Sequence, residues 1–183
     1  MKSGVRIAAI TTGPISKRSD GRSLLVCIIG NSKGVEGVLS SNVEVDGIDS
    51  TQKIIEMLDG SRFMEQVRVV AFNGIALAGL NIVDINKVCK RLHVKAVVIT
   101  RHKPRISLLE RSIRSLRSKG IDIADRLELL RSQSKSMRIA GFYVQSYPDQ
   151  KSTAGFVAVA AGLLRLSHLI SRGVATGESR GRI

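Results

Sequence analysis

The chain has 183 residues, with 29 basic side chains against 15 acidic ones and a formal charge of +14. Its 43% hydrophobic content suffices for a packed core and excludes global disorder, while no run approaches the ~18 uninterrupted apolar residues of a membrane span. Cys27 and Cys89 are too few for a disulfide framework, and His93, His102 and His168 lie at no metal-ligand spacing, so no structural zinc is expected.

In chain order, residues 5–10 read as a buried strand that ends at Thr11-Thr12-Gly13-Pro14. Residues 23–30 are apolar and β-rich, and residues 35–45 alternate apolar and polar as a strand bulged at Gly37. These three predict an antiparallel meander. Asp49 then stands as the N-cap of a helix carrying Ile54, Ile55, Met57 and Leu58. Residues 66–72 form a nearly continuous apolar run, as in a strand covered on both faces, closed by Asn73-Gly74. An apolar, small-residue segment at 75–82 leads to Asp84, the cap of a short helix over 85–92, and residues 94–100 are a fifth strand. Pro104 opens a helix with Ile106, Leu109, Ile113 and Leu116 on one face and Arg111, Arg114 and Arg117 turned away. A second helix is predicted over 123–132, a sixth strand over 138–147, and two further helices over 152–161 and 165–171. A meander followed by strand–helix units predicts an α/β fold, a ribonuclease H-like mixed sheet with helices on both faces. No repeat or linker divides the chain, so one domain over 1–183 is expected, and the short apolar stretch near Met1 is no signal peptide core, so a cytoplasmic location is expected.

The charge is uneven. Residues 87–138 hold fifteen Lys or Arg and four Asp or Glu, an excess that favours a polyanionic partner, nucleic acid above all. These basic helices lack the Trp and Phe anchors of membrane-surface helices, so no membrane partner is expected. No glycine-rich nucleotide loop and no nucleophile elbow is present. The chemistry-bearing candidates are carboxylates at element ends: Asp46 and Asp49 where a strand yields to a helix, Asp84 before the next helix, and Glu178 in a Gly- and Arg-rich tail. Converging carboxylates of this kind hold the paired divalent ions of metal-dependent phosphodiesterases.

Five segments carry a resemblance: Val45-Asp46-Gly47-Ile48-Asp49-Ser50-Thr51, the stretch from Asn73-Gly74-Ile75 to Asp84, Arg101-His102-Lys103-Pro104, Arg165-Leu166-Ser167-His168-Leu169-Ile170, and Gly177-Glu178-Ser179-Arg180-Gly181-Arg182. Together the chain resembles the archaeal proteins related to endonuclease V, the endonuclease dU family, also called domain of unknown function ninety-nine. The resemblance implies a ribonuclease H-like fold and metal-dependent cutting of strands that contain deaminated bases. The family's first strand ends in Asp-Asp-Gly-Pro and its fourth in Asp-Gly. Here those places read Thr11-Thr12-Gly13-Pro14 and Asn73-Gly74, which removes up to three negative charges from positions that bridge metals in such nucleases.

The leading expectation is therefore a nucleic-acid-binding member of this family with impaired or absent metal-dependent cleavage. Arg101, Lys103, Arg105, Arg111, Arg114, Arg117, Arg180 and Arg182 are the expected nucleic-acid contacts, with Mg²⁺ or Mn²⁺ bound weakly or not at all. The alternative is an active endonuclease on deaminated DNA or RNA with a rearranged site, in which Asp46 and Asp49 are catalytic and Asp46, Asp49, Asp84 and Glu178 hold the metal. A third reading is a non-catalytic scaffold subunit docked through the small residues of 154–161. Homo-oligomerisation is left open.

Overall fold

The computed structural model of the chain describes residues 4–15, 21–148 and 154–179. It opens with β1 (Arg6–Thr12), β2 (Arg22–Asn31) and β3 (Gly34–Glu44). The three pair antiparallel, with Ile10 opposite Cys27 and Cys27 opposite Leu39. The register shifts between Ile29–Gly37 and Gly30–Val35, so Glu36 is the extra residue of a bulge beside Gly37, where the sequence predicts one. Helix α1 (Ser50–Asp59) follows, then β4 (Val67–Phe72), a small hairpin of β5 (Ala76–Leu77) and β6 (Asn81–Ile82), and α2 (Ile85–Leu92). After β7 (Lys95–Thr100) come α3 (Ile106–Ser115), α4 (Ala124–Arg131), β8 (Met137–Ile139), β9 (Phe142–Tyr147) and α5 (Ala154–Thr176).

Seven strands form one sheet in the order β3-β2-β1-β4-β7-β9-β8. β1, β4 and β7 run parallel, and β9 returns antiparallel between β7 and β8. An antiparallel meander joined to parallel strands, with helices on both faces, is the ribonuclease H-like layout that the element order predicts.

Alternation along the strands divides the core. Ala8, Ile10, Val70 and Phe72 face one way and pack with Ile54, Leu58, Val88, Ile113 and Leu130 of α1 to α4. Ile7, Ala9, Val69, Ala71 and Val97 face the other way, against Val157, Ala160, Leu163 and Leu164 of α5. The core is thus two apolar layers on either side of the inner strands, while the edge strands β3 and β8 stay largely exposed.

Three expectations change. The predicted sixth strand is two strands, because Ala140 and Gly141 both take positive φ (49° and 83°) and turn the chain as a two-residue hairpin. The two predicted C-terminal helices are one, α5, which runs through Gly162. A glycine costs a helix interior about 1 kcal/mol, and burying Val157, Ala160, Leu163 and Leu164 along one stripe outweighs that. Among the described residues α5 is the one helix long and apolar enough to cross a membrane, and here that stripe lies against the sheet. Ile106 is exposed rather than on the buried face of α3, which rests on Ile113 with Leu109 partly buried.

Candidate functional site

The strand-end motifs lie at the carboxyl ends of the inner strands β1, β4 and β7. Ile10 pairs with Phe72, so the next residues, Thr11 and Asn73, stand side by side at the carboxyl ends of β1 and β4. By alternation both belong to the α5 face, while Thr12 turns to the opposite layer. Thr11 is buried, and its hydroxyl lies 2.8 Å from that of Ser167 on α5. Ser167 in turn donates to the carbonyl of Val26 at 2.9 Å. A serine has one hydroxyl hydrogen, so Thr11 is the donor in the first bond and its proton points into the helix packing. On the other layer the Thr12 hydroxyl accepts from the Ala78 amide at 3.1 Å.

This donor set does not fit a pair of divalent ions. Two metals need several anionic oxygens converging within one coordination shell. The strand ends offer a hydroxyl already committed to Ser167 and a neutral amide at Asn73. Among the described residues no three His, Cys, Asp or Glu side chains come together to hold a metal ion.

Nor does the structure bring the four candidate carboxylates together. Asp46, Asp49 and Asp84 lie in the layer of α1 to α4, where each accepts a backbone amide. Asp46 Oδ1 takes the Leu80 amide at 2.9 Å, and its Oδ2 is 3.7 Å from Lys119 Nζ. Asp49 Oδ1 takes the Glu44 amide at 3.1 Å and the Asn81 side-chain amide at 2.7 Å. Its side chain makes no bond to the first turn of α1, so it caps the end of β3 rather than the helix the sequence assigns to it. Asp84 does cap α2, accepting from the Lys87 amide at 2.8 Å. Glu178 belongs to the opposite side, beyond the C-terminus of α5.

The loop around Asp46 is held from behind by Arg126, a buried guanidinium on α4. Its Nη2 donates to the carbonyls of Asp46 (2.5 Å) and Gly47 (2.9 Å), its Nε to Leu80 (3.2 Å), and its Nη1 to Asp122. Asp46 and Ala78 face each other with positive φ (56° and 42°), joined by the Asp46 amide to the Ala78 carbonyl at 2.9 Å. Gly79 (φ 86°) completes the contact, and a methyl there would run into the Asp46 carboxylate.

On the α5 face a cleft of about 1090 Å³ opens beside the strand ends. Asn73, Ile99 and Phe142 border it on the sheet, and Ala158, Ala161 and Gly162 keep the α5 side low. Arg165, His168 and Arg172 extend from the same face of α5, with Arg101 after β7 and Glu178 after the helix completing the rim. Three guanidinium groups against one carboxylate make this a cationic groove.

Of the expected nucleic-acid contacts, Arg101 lines this groove. Lys103 and Arg105 are exposed on the link to α3, and Arg111, Arg114 and Arg117 are exposed on α3 and the turn after it, which belong to the other layer. Arg114 pairs with Glu110 at 2.6 Å. Arg180 and Arg182 lie outside the described residues. Arg165 and His168 stand in the sequence only as part of a resemblance motif and Arg172 lies just beyond it, yet their spacing of three and four residues is that of one helix face. Neither thiol is available as a nucleophile, since burial pushes Cys27 far above the thiol range and Cys89 up to about 11.

The endonuclease dU family profile matches residues 3–175. A UPF0215 protein of Methanothermobacter thermautotrophicus is 31% identical over 195 residues, which covers 99% of this chain and 93% of that one. The crystal structure of a protein of unknown function from Archaeoglobus fulgidus superimposes with a TM-score of 0.83 at 26% identity, covering 93% of this chain and 98% of that one. The catalytic domain of human endonuclease V gives a TM-score of 0.45 at 10% identity, covering 79% and 68%. Matched by the family profile and by a 31% identical relative over nearly its whole length, this chain belongs to the endonuclease dU family.

Proposed function

We propose that this protein binds nucleic acid along the α5 cleft and that its metal-dependent cleavage is impaired. The observation that carries this reading is a replacement within one site. At the strand ends where the family resemblance calls for carboxylates stand Thr11 and Asn73, while the adjoining cleft is rimmed by Arg101, Arg165 and Arg172. Guanidinium groups grip phosphate oxygens in a fork and supply affinity without base choice. Lys103 and Arg105 carry basic charge from the cleft mouth toward Arg111, Arg114 and Arg117, a second contact surface in this reading. The family name supports nucleic acid as the ligand, and strands containing deaminated bases are the substrate class the resemblance implies. The rearranged-site alternative would need Asp46, Asp49 and Asp84 to leave the backbone amides they now accept and to meet Glu178, which lines the cleft on the α5 side.

Fluorescence anisotropy with deoxyuridine-containing and undamaged strands tests the binding. Affinity should fall steeply with added salt, and Arg165→Glu with Arg172→Glu should weaken it and flatten the salt dependence by roughly 0.9 in slope for each phosphate no longer neutralised. Adding a chelator should leave binding unchanged. A titration that is flat in salt, or charge-reversal variants that bind as the natural protein does, would remove the cleft as the interface.

A further inference from the structure

The cleft that does not fit a metal pair nevertheless holds an imidazole, a carboxylate and guanidinium groups. A phosphodiester in DNA carries no internal nucleophile, so its hydrolysis at neutral pH depends on activating an outside water, the task divalent ions perform. RNA differs in one atom. Its 2′-hydroxyl is positioned next to the phosphorus, and an intramolecular nucleophile replaces both the water and much of the entropic barrier. What remains for the protein is to take one proton, give another and neutralise charge on the phosphoryl oxygens.

The geometry points to this chemistry: we propose that the α5 cleft cleaves RNA without a metal ion, with Glu178 as the base, His168 as the acid and Arg165 and Arg172 holding the phosphate. The proposal rests on the nucleic-acid reading above and deepens it to a substrate class. Arg165, His168 and Arg172 stand at i, i+3 and i+7 on α5, so the imidazole lies between two cations along one helix face. Beyond Thr176 the chain reverses. Gly177 takes φ 79°, its amide donates to the Gly173 carbonyl at 2.8 Å, and the Thr176 hydroxyl lies 2.7 Å from the Glu178 carbonyl and 2.9 Å from that of Arg172, its one hydrogen shared between them. A methyl group at Gly173 would come into ordinary contact with the Ser179 side chain, so the chain after Glu178 passes close to the helical turn that carries Arg172. Glu178 thereby lies on the cleft rim.

In the step, the 2′-hydroxyl proton passes to the Glu178 carboxylate as the 2′-oxygen bonds to phosphorus. The bond from phosphorus to the 5′-oxygen breaks, and His168 gives its proton to that leaving oxygen. The products are a 2′,3′-cyclic phosphate and a 5′-hydroxyl, and the proton returns from Glu178 to His168 through solvent. Nothing is oxidised or reduced, and no co-reactant is needed.

The test uses the full chain treated with chelator, a single-stranded RNA oligonucleotide and its all-deoxy counterpart, with binding read by gel shift and product ends by mass spectrometry. RNA should be cut to fragments ending in a 2′,3′-cyclic phosphate, and the deoxy strand should stay intact. His168→Ala and Glu178→Gln, both at exposed positions, should each slow cutting by roughly 100-fold or more while still shifting RNA. RNA that is bound and left uncut would overturn the proposal and leave the binding reading standing. Fragments with 5′-phosphates, or equal cutting by the two variants prepared in the same way, would also overturn it. RNA that is not bound at all would take down both.

Discussion

The Thr11 hydroxyl donates to Ser167, and Ser167 donates to the Val26 carbonyl, so one relay ties β1, α5 and β2 together at the place where relatives are expected to carry an acid. A carboxylate at position 11 would compete with Val26 for the Ser167 proton. The present arrangement is therefore a self-satisfied packing contact between sheet and helix rather than an open ligand. Ser167→Ala leaves two buried oxygens without their partner and should cost about 1–3 kcal/mol. Urea unfolding would show this as a lower midpoint at unchanged slope, and a midpoint equal to that of the natural protein would contradict the relay.

Arg126 carries a second prediction. Its guanidinium satisfies four carbonyls, those of Asp46, Gly47, Leu80 and Asp122, and among the described residues no carboxylate pairs with it. Truncation to Ala removes the donors and leaves those carbonyls facing a void, a loss of about 3 kcal/mol or more. Lys keeps the charge but not the fork, so Arg126→Lys should recover only part of that loss. Thermal melts of the two variants should rank natural, Lys, Ala. Equal melting of Lys and natural protein would show that charge alone suffices.

Alkaline pH should weaken the fold. Burial pushes Cys89 up to about 11 and also raises Cys27 and Tyr147. An acid whose folded pKa lies above its unfolded one keeps its proton in the native state while the unfolded chain releases it. Stability is then full below the unfolded thiol pKa, about 8.5, and is lost as pH rises toward the folded value. Melting temperature should hold between about pH 6 and 8 and decline above about pH 9, with a smaller decline in a Cys27→Ala, Cys89→Ala double variant. A melting temperature that climbs toward pH 10 would reverse the sign.

How far the sequence could be read follows from which forces are local. The meander, the parallel strands and the cap at Asp84 are legible because each depends on alternation or on a side chain meeting an amide three residues away. Asp49 shows the limit. Its composition and position suit a helix cap, but the Glu44 amide and Asn81 lie closer in space, and a contact 32 residues away cannot be read from spacing. The Ala140-Gly141 turn was hidden because alanine rarely takes positive φ, and only the pairing of β8 with β9 holds it there. For the site, Thr11 and Asn73 could be named from the motifs, and Arg101 from its charge. The α5 arginines and His168 could not be named as site residues, because ending the last predicted helix at 171 leaves Arg172 off it, and no local spacing shows that this helix face borders the β7–β9 half of the sheet.

The central claim is that neutral strand ends have cost this chain its metal-dependent cleavage. Restoring them tests it: Thr11→Asp, Thr12→Asp and Asn73→Asp together, with Asn73→Asp alone as a variant at an exposed position, assayed beside the natural protein on deoxyuridine-containing DNA with manganese. DNA has no 2′-hydroxyl, so this substrate reports only on hydrolysis through a metal. Strand cutting is expected from the repaired chain and none from the natural one. Manganese-dependent cutting by the natural protein at a comparable rate would contradict the claim.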